Sequence, residues 1–283
     1  HSMTYSTTVD WAFMIENLAT ATALRKIMMY EYNKTTSAYT WKGFITATLT
    51  SATAHTLRGF RALRYLHTTG TVEVSGTAVT GTNTKFTDEG IAVGARIGFG
   101  STDPTQISTW YVISVIGNNT DMTLSTSAGT VTAGTSYVIE ELRFAVVATN
   151  ATAANGGLHL VKGVNYSDFI VTGTTISAAT TTDNIKAVYW LSDAGTTANV
   201  VTNIAACGLT IQDEVNKDLH YAYVPDGVGS TFMKVYRYNL RATGTITSGK
   251  MLMNIQPYTT GTVEVAGTAV TGSGTTFTSN MIG

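Results

Sequence analysis

Few side chains in this sequence are spaced to do chemistry. Its five histidines stand at 1, 55, 67, 159 and 220 without a local signature, and no G-x-S-x-G elbow accompanies them, so a serine-hydrolase centre has no footing. His159, in LHLVKG, reads as a strand side chain rather than a general base. The Gly-rich GFGST at 98–102 lacks the Walker spacing and its lysine, which leaves a turn. Asp213, Glu214 and Asp218 form the tightest acidic group, but they do not follow the alternating oxygen-ligand order of a calcium loop and read as a solvated helix end. Cys207 is alone, so there is neither a disulfide framework nor a cysteine-based zinc site. The two carboxylates of a glycosidase can come from distant strands. Here, however, the acids are few and sit mostly beside turn residues, as Asp88, Asp103 and Asp226 do. The sequence therefore nominates no catalytic residue, no cofactor-binding residue and no metal ligand.

Aromatic residues carry more signal. Tyr30, Tyr32, Trp41, Tyr65, Trp110, Tyr189, Trp190, Tyr221, Tyr223, Tyr236 and Tyr238 fall mainly on predicted strands. Tyrosine and tryptophan bury a large area and keep a polar tip, which suits a sugar-stacking or subunit-contact surface as well as plain core packing. Trp41, Tyr189, Trp190, Tyr236 and Tyr238 are the candidate interface or glycan-contact residues. In Tyr236-Arg237-Tyr238 the alternation puts both rings on one face of a strand.

Composition narrows the setting. Charged residues make up 12% of the 283, about half the usual globular share, and the net charge is −1. Without a basic run there is no face for nucleic acid. Arg58, Arg61 and Arg64 are the densest basic stretch and read as a solvated or interface stripe. No run approaches the ~18–20 apolar residues of a membrane helix, which argues against membrane insertion. The opening HSMTYSTTVDW lacks the basic-then-apolar order of a signal peptide, and His1-Ser2 reads as a remnant before Met3 or a processed end. Threonine occurs 54 times, glycine 27 times and proline 3 times. A β-branched residue at that density suits pleated surfaces better than helices.

The elements that must position these residues are mostly strands. One helix is expected over Asp10–Ala23, capped by Asp10, with Trp11, Met14, Ile15 and Leu18 along one stripe. Strands are expected at Lys26–Tyr32, Thr40–Leu49 and Leu57–His67, and then at six short segments between Thr71 and Ile139 with turns every 8–12 residues. Farther on come Arg143–Ala148, Leu158–Val161, Phe169–Val171, Ala187–Leu191, Leu219–Val224, Phe232–Leu240 and Lys250–Gln256. A turn is expected at Pro225–Ser230 and a short helix at Ile204–Val215. The fold class is thus all-β, built from β-sandwich or small-barrel modules with one short N-terminal helix.

One stretch orders the whole chain. Thr68–Thr87, TTGTVEVSGTAVTGTNTKFT, returns as Thr259–Thr278, TTGTVEVAGTAVTGSGTTFT, with 16 of 20 positions identical at an offset of 191. The strands ahead of each copy also correspond, Tyr30 with Tyr221 and Tyr32 with Tyr223. Four units follow: an N-terminal helix and hairpin at 1–69, a small inserted β-module at 70–141, a second β-rich unit at 142–258, and the start of a second copy of the module at 259–283. Two readings of that last unit stand side by side: a piece of a longer repeat protein, or a tail that completes a neighbour's sheet by strand addition.

The run GTVEVSGTAVTGTNTKFT, then Gly94-Ala95-Arg96-Ile97, then WYVISV and Thr120–Leu124, resembles a β-module that recurs in structural proteins of tailed bacteriophages. That resemblance covers about 70–140 and 261–283. It implies a virion protein of the tail-fibre, baseplate or capsid-surface type, assembled in the bacterial host cytoplasm. It further implies association with itself and with other virion proteins, no cofactor and no catalysis. A receptor- or glycan-binding module that touches a host-surface glycan is the first alternative. A polysaccharide depolymerase and a bacterial surface adhesin follow.

Overall fold

The computed structural model describes residues 2–16, 24–48, 55–150, 157–169, 185–186, 188–190, 210–213, 220–228, 232–239, 250–255 and 261–275. Among them there is no α-helix; the fold is all-β, with short 3-10 turns at Pro104–Gln106 and Tyr166–Asp168.

The N-terminal strands β1 (Ser2–Thr4), β2 (Val9–Ile15), β3 (Leu24–Asn33) and β4 (Ala38–Thr48) pair antiparallel in that order. The helix expected from Asp10 is therefore replaced over residues 9–15 by β2; residues 17–23 lie outside the described set. The physical reason is a second period in the same residues. Trp11, Phe13 and Ile15 alternate as well as Trp11, Met14 and Ile15 recur at helical spacing, and pairing with β3 selects the alternation. Trp11 and Phe13 are buried, whereas Met14 is 47% exposed, which a helical stripe through Met14 would not give.

Next come β5 (His55–His67) and then the module: β6 (Thr71–Ser75), β7 (Ala78–Thr82), β8 (Arg96–Phe99), β9 (Tyr111–Ile116), β10 (Asp121–Leu124) and β11 (Thr130–Thr135). The long β12 (Tyr137–Asn150) follows, then β13 (Gly157–Val164), β14 (Ile185–Lys186) and β15 (Val188–Trp190). One large sheet runs β11-β6-β7-β10-β9-β8-β12-β13-β15, and β5 pairs with β12. The 14 residues of β12 tie the parts together and cross position 141 without a break. On one side β12 meets β8 and then β13; on the other it pairs with β5 from His67 to His55.

Two cores result. In the module, every second residue points inward: Val72 and Val74 of β6, Val79 of β7, Ile113 of β9, Met122 and Leu124 of β10. Phe86 and Ile91 from the β7–β8 connection close it, with Tyr65, Tyr137 and Ile139 beneath. The second core packs one face of the N-terminal sheet (Trp11, Phe13, Ile27, Met29, Ile45) on Ala62, Leu142, Phe144, Val161 and Val164. The module meets β13 backbone to backbone. Gly94 (φ +95°) and Gly163 (φ +66°) lie so close that a Cβ on Gly94 would run into the Gly163 carbonyl, and Asn165 Nδ2 donates to Gly94 O at 2.8 Å.

The remaining described residues form a four-stranded sheet, β16 (Thr210–Asp213), β17 (His220–Val228), β18 (Phe232–Asn239) and β19 (Lys250–Ile255), and a two-stranded hairpin, β20 (Thr262–Ala266) with β21 (Ala269–Ser273). Three expectations change here. Thr210–Asp213, expected in a helix, is a strand because it pairs with Tyr223 to His220. The turn expected at Pro225–Ser230 starts later, since β17 stays paired with β18 through Val228. Phe169, expected to open a strand, follows the Tyr166–Asp168 turn instead, held by a capping box between Asn165 and Asp168. Of the candidate aromatics, Tyr236 and Tyr238 lie on β18 opposite Val224 and Ala222, and Tyr189 and Trp190 lie on β15 opposite Leu160 and His159.

Candidate binding surface on the N-terminal sheet

The sequence around the first hairpin reads Tyr30-Glu-Tyr32, a polar turn, then Tyr39-Thr-Trp41. Antiparallel pairing sets Tyr30 opposite Trp41 and Tyr32 opposite Tyr39, so four rings share one face. Their centroids are 4.8 Å and 4.7 Å apart, with the planes tilted by 56° and 38°. A bulge between Met29 and Tyr30 makes this possible: Gly43, at φ +120°, lets β4 take an extra residue, and Phe44 then faces Met28. On β2 the same face carries Asp10, Ala12 and Met14, opposite Tyr32, Tyr30 and Met28.

This face is open at the hairpin end. Tyr39 is 66% exposed and Met14 47%; Tyr30, Tyr32 and Trp41 are half-buried. An ion pair, Lys34 Nζ to Asp10 Oδ1 at 2.8 Å, closes the end of the ladder. At the base the chemistry turns inward, where Lys26 is buried over the Phe44 ring at 4.8 Å.

The opposite face of the same strands is committed to the fold. Trp11 stacks on Tyr5 (4.2 Å) and on Tyr166 (5.6 Å). Arg64 lies over Tyr5 and Trp11, and Arg96 lies over Trp110 at 4.0 Å. Both guanidinium groups converge on Glu140, which is fully buried: Arg64 donates from Nε and Nη2 to one oxygen, Arg96 from Nε and Nη2 to the other. The phenol of Tyr5 is pushed up, first by burial and then by the charge of Glu140. Arg64 is thus no solvated stripe residue, although Arg61 is exposed.

One residue along β12, and therefore on its other face, Glu141 is also fully buried. It accepts from Arg143 Nε and Nη2 at 2.9 Å and from the Gly163 amide at 3.0 Å. Arg143 also donates to Gly90 O at 2.6 Å, tying the module's loop to β12. Burial lowers the Lys162 ammonium to about 8, with repulsion from Arg143 second. A third polar centre joins His67 Nδ1 to Glu89, with Tyr65 Oη donating to the Glu89 carbonyl at 2.7 Å and Thr69 Oγ1 to its carboxylate at 3.1 Å. These carboxylates are saturated by donors, so their chemistry is that of cross-links. Among the described residues no group of three or more His, Cys, Asp or Glu is placed to hold a metal ion.

Of the five candidates read from the sequence, Trp41 lies in the ladder. The strand positions of Tyr189, Trp190, Tyr236 and Tyr238 do not bring them to it in the backbone pairing, and their side chains lie outside the described set. Tyr39 was missed, although its mirrored spacing about the turn with Tyr30 and Tyr32 was the available signal. The buried pairs were missed too; Glu140-Glu141-Leu142-Arg143 gives no hint by spacing that both faces of one strand are internal.

No family model matches the chain, and no curated protein matches it. Among solved structures it is similar to the phage phi92 endosialidase at 13% identity and a TM-score of 0.24, over 88% of this chain. The chain corresponds to 56% of that protein's length.

Proposed function

We propose that this chain is a structural component of a tailed-bacteriophage particle, tail- or capsid-associated, which assembles with copies of itself and with other virion proteins and catalyses no reaction. The observation that carries this reading is the hairpin formed twice. β20–β21 repeats the register of β6–β7, Val265 opposite Val270 as Val74 is opposite Val79. Gly70 and Gly261 both sit at φ +82°, and Gly76 and Gly267 at φ +65°. That sequence is the part of the chain that resembles the phage virion module. The saturated buried carboxylates and the threonine-rich, weakly charged exterior suit a mechanical role.

Immunogold labelling of particles purified from the native source tests the reading. Label on tails or heads is expected. Absence of the chain from particles, or release of reducing sugars from bacterial capsule by the purified protein, contradicts it.

A further inference from the structure

We propose that the hairpin end of the β2–β3–β4 face binds a neutral saccharide, seated over the row Asp10, Tyr32 and Tyr39. This goes beyond the structural role above and does not depend on it. The three residues lie side by side on β2, β3 and β4, Asp10 opposite Tyr32 and Tyr32 opposite Tyr39. Tyr39 is 66% exposed, and the Tyr32 ring 4.7 Å away buttresses it. A supported aromatic ring offers a large contact surface at little entropic cost, which suits the apolar face of a sugar ring.

The polar end of the row selects hydroxyl groups. Lys34 Nζ donates to Asp10 Oδ1 at 2.8 Å and to Ser6 O at 3.2 Å, which leaves one of the ammonium's donors over. Among the described residues Asp10 Oδ2 accepts no hydrogen bond. A spare donor and a spare acceptor therefore stand together, and a hydroxyl, which both donates and accepts, satisfies the two at once. The pair carries no net charge, so it favours a neutral sugar over a charged one. A protein partner fits the row less well. A row about 10 Å long across three strands covers far less than the roughly 800 Å² per partner of a standard interface. β2, β3 and β4 are interior strands of their sheet, so the row has no free edge for strand addition. The rings of each cross-strand pair are in contact, at 4.8 Å and 4.7 Å, which closes the slot that a polyproline segment would enter.

Saturation-transfer NMR and titration calorimetry on the full chain test this with three neutral probes: maltotriose, cellotriose and N-acetylated chitotriose. A proline decamer is the rival probe. At least one trisaccharide is expected to bind with a Kd of about 1 mM, with saturation strongest on the protons of one sugar face. Tyr39→Ser and Asp10→Ala change side chains at the surface, and circular dichroism is expected to show both variants folded. Each is expected to weaken binding by about ten-fold. If no trisaccharide binds, or if binding survives Tyr39→Ser or Asp10→Ala undiminished, the assignment of this row is overturned. Binding of the proline decamer alone gives the face to a protein partner and overturns it too. Each of these results leaves the particle-labelling test of the structural role standing, so the two readings fail separately.

Discussion

Two nearly identical hairpins in one chain have opposite surroundings. In β6–β7 the inward valines Val72, Val74 and Val79 are 1%, 3% and 2% exposed; in β20–β21 their counterparts Val263, Val265 and Val270 are 57%, 64% and 55% exposed. Strand lengths and register are the same, and Gly70 and Gly76 match Gly261 and Gly267 in φ. The hairpin is therefore encoded locally, by turn chemistry and alternation, whereas burial comes from residues far along the chain. In the first copy β10 pairs with β7, β11 pairs with β6, and Phe86 closes the core. At the exposure that the described residues of β20–β21 show, a two-stranded hairpin is marginal in water.

Substitutions at matched positions break this comparison most sharply. Val74→Asp buries a charge with no partner and is expected to cost more than about 4 kcal/mol, enough to unfold the module, while Val265→Asp is expected to stay within about 0.5 kcal/mol. Chemical denaturation of the two variants checks both values. The same contrast holds for acids. Glu141→Gln leaves Arg143 buried without its carboxylate and is expected to cost about 3–5 kcal/mol, whereas Glu264→Gln, on the exposed hairpin, is expected to be neutral within experimental scatter.

Lys162 gives the module's anchoring strand β13 a pH signature that the second hairpin lacks. Its folded pKa, about 8, lies below the unfolded value of 10.5. The unfolded chain therefore holds the extra proton between those values, and stability rises as pH increases from about 8 to 10.5. Denaturant midpoints across that range are expected to climb in the wild type and to flatten in Lys162→Met. A midpoint that climbs equally in both would remove Lys162 as the cause.

The smallest expected effect lies in the turns. Asn83 holds φ +57° where the second copy has Gly274 at φ +68°, and both residues tolerate that region. Asn83→Gly and Gly274→Asn are each expected to change stability by only a few tenths of a kcal/mol. A large loss from Gly274→Asn would mean that the two turns are not equivalent after all.

What could be read from the sequence follows the same division between local and distant causes. The hairpins and most strands were visible because alternation and turn residues act over a few positions. The helix expected from Asp10 failed over Asp10–Ile15, where two periods overlapped and only β3 could decide between them. The pairing of β5 with β12 was not legible, since His67 and Ile139 lie far apart in sequence. The buried carboxylates were hidden for the same reason, because Arg64, Arg96 and Glu140 come from three separate strands. Of the aromatic face, Trp41 was read from its type, and its neighbours Tyr30 and Tyr32 from their strand; Tyr39 needed the register across the turn.

Amide hydrogen exchange on the dilute protein tests the comparison most directly, because it reads both hairpins in one sample. The account predicts protection of the paired amides in Thr71–Thr82 that is orders of magnitude greater than in Thr262–Ser273, despite the shared sequence. Equal protection of the two would contradict it, since the second hairpin would then be covered as fully as the first.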